Sequence, residues 1–307
     1  MGEGLRVVSF NVFPPAYSIV AEWAARHRYQ LVLLVTVPGH HAQRRYESES
    51  PPLLDVLPEG QDVLVTNRMR RIAAPAIAAL RPDLVIVASF PLRIPPEVTA
   101  VPRYGAINLH PSPLPRGRGP NPARGLYEGD PTIAYTAHRV EPDFDAGAIL
   151  SRREVARPDD LGAGDLVRHW LQMAPIVLDE AARRAVAGER GVPQDRDAAT
   201  HWPPFTEEER WLDWGEGAAT VQRRAAALNA IAPTARALID GRAVLVRDVR
   251  ALPALVPRVA PGTVLDREGD LALVSVGDGV VSVRTRPPLA VPAEGRADER
   301  AVAARQT

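Results

Sequence analysis

The sequence contains no cysteine and no lysine. The first absence excludes disulfides, a thiol nucleophile and cysteine-bound zinc. The second excludes Schiff-base and P-loop lysine chemistry. Every cation other than histidine is arginine. Aromatic residues make up only 5% of the chain, so a core must be built mainly from Leu, Val, Ile and Ala. Charge excess is also absent: 37 basic side chains face 37 acidic ones, which removes the simplest argument for a nucleic-acid partner. No run approaches the eighteen or so uninterrupted apolar residues of a membrane span, and Met1-Gly2-Glu3-Gly4 does not begin a signal peptide. A cytoplasmic location with no membrane partner is the expectation by default.

Three nucleotide or hydrolase signatures are missing too. The stretch "SFNVFPPAY" after the first apolar run has no glycine, so a dinucleotide fingerprint is excluded there, and neither a Walker A motif nor a G-x-S-x-G elbow occurs. His40 and His41 are adjacent and no H-E-x-x-H is present, so no metal is expected.

What is present is an α/β pattern. Apolar runs at 5–10, 31–37, 62–66, 84–88 and 106–109 alternate with helical patterns at 17–28 and 72–80. Runs buried on both faces and separated by helices predict a mostly parallel, Rossmann-like sheet. Two more strands are predicted at 132–140 and 148–155, joined through Asp143 and Asp145. A long helix follows over 159–187, with Leu166, Trp170, Met173, Ile176 and Val177 on its apolar face. The texture then changes to a polar, proline-bearing stretch. The expected organisation is a catalytic domain over 1–187, a linker over 188–206, a small β-rich domain over 207–290 and a loose tail over 291–307. In the β-rich domain, Gly277-Asp278-Gly279 between two apolar runs is a hairpin signal, and the short strands predict a small β-barrel (OB-like) or a sandwich.

One seam concentrates chemistry. In "AINLHPSPLPRGRGPNPARG", Asn108 and His110 are two apart on a predicted strand and so face the same side. They lie at the carboxyl end of that strand, where open α/β sheets bind ligands. Five prolines follow in residues 111–122, stiffening the loop, while Gly117, Gly119 and Gly125 let it turn.

"INLHPSPLPRGRG" together with "HRVEPDFDAGAIL" resembles the formyltransferases that use 10-formyltetrahydrofolate. That family includes glycinamide ribonucleotide, methionyl-tRNA and sugar N-formyltransferases. Its Asn-x-His-x-Ser-x-Leu-Pro stretch falls on Asn108, His110, Ser112, Leu114 and Pro115, and its Asp-x-Gly on Asp145 and Gly147. More weakly, "WLDWGEGAATVQRRAAALNA" and "PGTVLDREGDLALVSVGDG" are similar to the small second domain of methionyl-tRNA formyltransferases. The resemblance implies formyl transfer from the folate to an amine through a tetrahedral intermediate. Asn108 and a protonated His110 would stabilise its oxygen, and Asp145 would orient His110 and help carry the proton released by the amine. It also implies that the pterin lies against the loop 88–96, with Phe90, Leu92 and Ile94 as apolar wall, and against 139–145, with Arg139, Val140, Glu141 and Asp143. Ser112, Pro115, His138 and Gly147 would support these loops.

The acceptor is less defined. After the second strand, "VPGHHAQRRYESESPP" offsets Arg44 and Arg45 with Glu47 and Glu49, where methionyl-tRNA formyltransferases carry a glycine-basic loop. From residue 205 onward 14 arginines meet 14 acidic residues. The chain also has "NAIAPTA", keeping Asn229 and Pro233, where that group tends to show Asn-Pro-Trp-Pro-Gly. These features favour a small or carrier-bound amine, such as an amino-sugar nucleotide or an ornithine-type or carrier-bound amino acid. Methionyl-tRNA stays open as the alternative, with its two-domain layout in support. Hydrolysis of 10-formyltetrahydrofolate and an inactive folate-binding paralogue are further alternatives. Oligomeric state is not legible.

Overall fold

The computed structural model describes residues 4–39, 51–252 and 258–286. His40, His41, Arg44, Arg45, Glu47, Glu49 and the tail 291–307 lie outside them. The chain forms two compact units. The first comprises Met1–Pro122, Ala134–Val155 and His169–Trp202, the second Ala123–Ile133, Ala156–Arg168 and Pro203–Thr307. The stretch 188–206 therefore belongs to the first unit up to Trp202 and to the second from Pro203.

In chain order the sheet of the first unit uses β1 (Arg6–Phe10), β2 (Gln30–Thr36), β3 (Val63–Val65), β4 (Leu84–Ala88), β5 (Ala106–His110), β6 (Thr132–Arg139) and β7 (Ile149–Ala156). Its spatial order is β3-β2-β1-β4-β5-β6-β7. The pairs among the first five are parallel, and β5–β6 is antiparallel. All five residues of β4 are buried, as a strand covered on both faces requires. Each such Val, Leu or Ile side chain contributes about 1.5–3 kcal/mol by leaving water.

Helix α1 (Pro14–Arg26) starts with prolines at its first two positions, where a missing N–H does no harm. It buries Ala16, Tyr17, Val20, Trp23 and Ala24, one face at helical spacing. α2 (Ala74–Leu80) continues from a π-helical turn at Met69–Ala73, and α3 (Pro96–Thr99) is a single turn. Arg124–Glu128 forms α4, and Asp165–Val186 forms α5 with Pro175 inside it. Of the apolar face expected for α5, Leu166, Trp170, Met173 and Val177 are buried, whereas Ile176 is 46% exposed. Ile176 is displaced because the buried stripe runs through Ala174, Val177, Leu178 and Ala181 instead.

The second unit carries a five-stranded antiparallel sheet, curled as a half-barrel. Its strands are β8 (Arg236–Ile239), β9 (Arg242–Leu252), β10 (Val264–Glu268), β11 (Leu271–Val276) and β12 (Gly279–Thr285), in the order β10-β11-β12-β9-β8. β11 and β12 form the hairpin expected at Gly277-Asp278, with Val276 opposite Gly279. The same turn caps a helix: Asp278 Oδ1 accepts the Ala218 N–H at 2.7 Å, at the start of α6 (Ala218–Leu228).

The strand order reverses at β1, between β2 and β4, which makes the carboxyl edge of β1 and β4 the topological switch point. Buried Asn11 spans it, donating from Nδ2 to Ala88 O at 3.0 Å and accepting from Ser9 Oγ. The carboxyl end of β5 shares this edge.

Candidate active site

Asn108 and His110 leave the end of β5 on one side, as a strand period of two dictates. In the β5–β6 pairing Asn108 stands opposite His138. The turn after β6 then brings Asp145 back over both. Asp145 has φ +54°, a left-handed conformation that costs an L residue roughly 1–2 kcal/mol and that aspartate tolerates better than most. Two positions on, Gly147 lets the chain pass close to β6: a Cβ there would stand 1.9 Å from Arg139 O.

The polar groups converge on one carboxylate. Asn108 Nδ2 donates to Asp145 Oδ1 at 3.1 Å and lies 3.0 Å from His138 Nε2. His110 Nδ1 and His138 Nε2 are each 3.6 Å from the same oxygen. The other oxygen, Oδ2, accepts the Gly119 N–H at 2.9 Å. His110, His138 and Asp145 are all buried.

The hydrogen positions follow from the acceptors. A carbonyl only accepts, so His110 Nε2, 2.8 Å from Gly117 O, carries a hydrogen. His138 Nδ1, 2.7 Å from Arg139 O, carries one as well, leaving its Nε2 to accept from Asn108. The second nitrogen of His110, Nδ1, faces the Asp145 carboxylate. Burial pushes the Asp145 carboxyl up, but the positive charge on His110, the contacts with His138 and the Gly119 N–H outweigh it. The carboxyl is held well below the usual carboxylate range and stays ionised.

The proline loop holds the other side of this arrangement. Ser112 Oγ donates to Arg116 O at 3.1 Å, Ser112 O accepts Thr136 Oγ1 at 2.6 Å, and the Leu114–Pro115 peptide is cis. Gly117 and Gly119 have φ of +75° and +106°, and side chains there would strike Trp202 and His201.

Leu92 and Ile94 line a cleft of about 640 Å³ together with Met69, Pro95, Pro96 and Pro142, rimmed by Arg68, Arg70, Arg71 and Arg93. Phe90 packs edge-on against Phe10 of the core at 5.1 Å, and Val140 packs on the same cluster. Arg139 directs its guanidinium to the carbonyls of Tyr104 and Glu189 at 2.5 and 2.6 Å, with burial lowering its pKa. Glu141 and Asp143 are exposed on the turn before Asp145. Next to Asp145, Phe144 is 49% exposed, with the Arg93 guanidinium 5.0 Å from its ring centre. Sequence reasoning missed the cleft's arginines and Gln194, described below. Arg68, Arg70 and Arg71 stand close together in sequence and were the available signal.

An α/β unit with an Asn–His–Asp cluster at the carboxyl edge of its sheet defines the chain's class. The formyl transferase family model matches residues 18–180, and the model of the formyl transferase C-terminal domain matches 204–288. The chain belongs to the formyl transferase family and is an enzyme of that class. A methionyl-tRNA formyltransferase of Roseiflexus sp. (strain RS-1) is 32% identical over 293 residues, covering 92% of this chain and 88% of the relative. Among solved structures, WlaRD, a sugar 3N-formyltransferase crystallised with dTDP and 5-N-formyl-tetrahydrofolate, superposes with a TM-score of 0.66 at 12% identity. The match covers 94% of this chain and all of that one. HypX from Aquifex aeolicus in complex with tetrahydrofolic acid gives a TM-score of 0.65 at 18% identity over 91% of this chain. The chain spans 43% of the length of HypX. Among the described residues no helix is long and apolar enough to cross a membrane.

Proposed function

We propose that this enzyme transfers a formyl group from 10-formyltetrahydrofolate to a primary amine, and that the amine is small or carrier-bound. The observation that carries the chemistry is the convergence of Asn108, His110 and His138 on the ionised Asp145.

The cleft beside Pro142 fits a folate. Its volume lies in the range of small-molecule sites, its walls are apolar enough for flat rings, and its arginines suit the carboxylates of a glutamyl end. Leu92, Ile94 and Met69 would hold the rings, and Arg68, Arg71 and Arg93 the acidic end. Bound there, the folate supplies an activated formyl carbon.

The chain's own residues then do three things. Asn108 and the imidazolium of His110 present N–H donors for negative charge developing on the formyl oxygen. Such groups are worth about 10²–10³ in rate each. For Asn108 this means redirecting one of the two N–H bonds it makes to Asp145 and His138, and for His110 releasing its Nε2–H from the Gly117 carbonyl. Asp145 faces His110 Nδ1. As the amine nitrogen bonds the formyl carbon and the bond from that carbon to the folate N10 breaks, the amine's proton passes by way of this pair to N10 and tetrahydrofolate leaves.

The small acceptor is supported by charge. Most described arginines of the second unit sit in ion pairs, among them Arg124–Glu209 at 2.8 Å, Arg224–Glu216 at 2.7 Å, Arg250–Asp248 at 2.9 Å and Arg284–Asp270 at 3.2 Å. Arg223 is directed to the carbonyls of Leu126 and Tyr127. Phosphate-backbone binding rests on cations available to phosphates, and pairing of this kind neutralises them. A second reading, methionyl-tRNA as acceptor, is favoured by a different observation: both domains are matched along nearly the whole length of a methionyl-tRNA formyltransferase.

Purified enzyme with 10-formyltetrahydrofolate, offered in parallel initiator methionyl-tRNA, amino-sugar nucleotides, ornithine and N-hydroxyornithine, tests both readings. Formylation of one small amine and not of the tRNA is expected. Turnover with the tRNA alone would replace the first reading by the second. Formate release without any amine would make the enzyme a hydrolase.

A further inference from the structure

The stretch after α5 has the composition of a connection, yet its side chains reach into the active site. Val192 exchanges both backbone hydrogen bonds with Ile149, at 2.8 Å each. Eight residues on, Thr200 takes the Gly117 N–H on its Oγ1 at 3.0 Å and the Arg118 N–H on its carbonyl at 2.9 Å. Trp202 N donates to Arg118 O at 2.7 Å. The segment is thus a strap fastened at one end to β7 and at the other to the proline loop.

Gln194 sits between the two fastenings. Its Nε2 donates to Asp145 O at 2.8 Å and to Gly147 O at 2.7 Å. Its Oε1 accepts Arg118 Nε at 3.1 Å and Nη2 at 2.7 Å. The amide orientation is unambiguous, because the reverse would set oxygen against two carbonyls and NH₂ against a guanidinium. Asp145 is therefore held at both ends: its carboxylate by the Gly119 N–H, its strained backbone by Gln194. Arg118, which Gln194 also holds, lies between Gly117 and Gly119, whose carbonyl and N–H bind His110 and Asp145.

We infer that Gln194 is a positioning residue that sets the Asp145 carboxylate against His110, by clamping the Asp145–Gly147 turn to the Arg118 loop. This rests on the formyl-transfer reading for its kinetic consequence, but not for its structural one. Gln194 does not touch the cleft; it acts through the Asp145 backbone and through the Arg118 loop that carries Gly117 and Gly119.

Two substitutions remove the double donor. Gln194→Leu deletes both halves of the amide, and Gln194→Glu keeps an acceptor for Arg118 while turning a carboxylate oxygen on two carbonyls. Either variant suffices if the other fails to fold. The first readout needs no substrate: the ring nitrogen resonances of His110 in full-length protein labelled with ¹⁵N-histidine, assigned with a His110→Asn variant. The Nδ1 signal is expected to move in the same direction as in Asp145→Ala. Wild-type His110 resonances in both Gln194 variants would overturn the inference.

The second readout is turnover of 10-formyltetrahydrofolate with whichever acceptor of the panel above is formylated. Misplacement of a group at the chemistry should lower kcat by about 10- to 100-fold, with KM for the folate within about twofold. In an Asp145→Ala background, Gln194→Leu should lower kcat by a smaller factor than it does in the wild type, since its route through the carboxylate is already cut. Multiplicative losses would mean a general structural role and overturn the assignment. If the wild type transfers formyl to no acceptor while the His110 signal still moves, the functional reading fails and the positioning stands.

Discussion

Asn108 and Asp145 lie 37 positions apart in the chain and are joined by a 3.1 Å hydrogen bond from Nδ2 to Oδ1. The same Nδ2 lies 3.0 Å from His138 Nε2, so the amide fixes the carboxylate and the δ-protonated His138 together. His110 Nδ1 stands 3.6 Å from the same carboxylate oxygen. Orientation and charge are thus set by one small network.

Removing either member of the bond should show in rate before it shows in stability. Asn108→Ala is expected to lower kcat for formyl transfer by about 10²–10³. Asp145→Asn keeps the shape and tolerates the left-handed backbone but removes the charge facing His110. It should cost a comparable factor. Because both belong to one network, the double variant should lose less than the product of the two. Steady-state rates of the four proteins measure this, and unchanged turnover in both single variants would rule out the proposed chemistry.

Asp145 also links stability to pH. Its folded-state carboxyl is held below the ordinary value, so its contribution is complete above the unfolded pKa of about 3.9 and is lost as pH falls through the folded value. At about pH 5 wild type should have a higher urea midpoint than Asp145→Asn. Below about pH 4 the two should converge. Denaturation curves across that range check the sign; a gap that widens in acid would contradict it.

Much of this was legible beforehand, for identifiable reasons. β4 and β5 are short apolar runs with clear ends, and a period of two puts Asn108 and His110 on one face without further information. α3 and α4 span four and five residues, too few to carry a helical period, and neither was anticipated. Phe90 is apolar and in the right loop, yet its ring turns inward to Phe10, a choice made by packing rather than by sequence. Gln194 was illegible because its partners are backbone carbonyls 49 and 47 residues away, which only the completed turn brings together.

Gly147 offers a steric test of how closely the turn is built. Since its Cβ would meet the Arg139 carbonyl at 1.9 Å, and that atom is backbone, Gly147→Ala must shift β6 or the turn. The expected cost is at least about 2 kcal/mol, with loss of activity as Asp145 moves. Gly164→Ala is the control: its φ is +84° but no atom lies within 4 Å, leaving only backbone strain of about 1–2 kcal/mol and an intact turn. Thermal unfolding and turnover of the pair separate the two effects. Equal activity loss in both would mean that the close approach is not what matters.

In the second unit, Arg124 is the buried cation on which local order depends. Its guanidinium makes two 2.8 Å bonds to the Glu209 carboxylate, donates to the carbonyls of Pro203 and Pro204, and lies 4.9 Å from the Phe205 ring centre. The hydrogen bonds from Arg124, opposed by partial burial and aided by Thr206, lower the Glu209 carboxyl to about 2. Glu209→Gln leaves a buried cation with only the longer, 3.4 Å pair to exposed Glu128 and should destabilise by about 1–3 kcal/mol at neutral pH. Partial access of Glu209 to solvent screens the pair and limits the loss. With the folded-state pKa depressed, the wild-type advantage is complete above about pH 5 and fades between the ordinary glutamate value of about 4.3 and the lowered one. Urea unfolding of wild type and Glu209→Gln at pH 7 and near pH 2.5 decides it. The gap should be present at the first pH and reduced at the second, and an equal gap at both would show that packing, not charge, holds Arg124 in place.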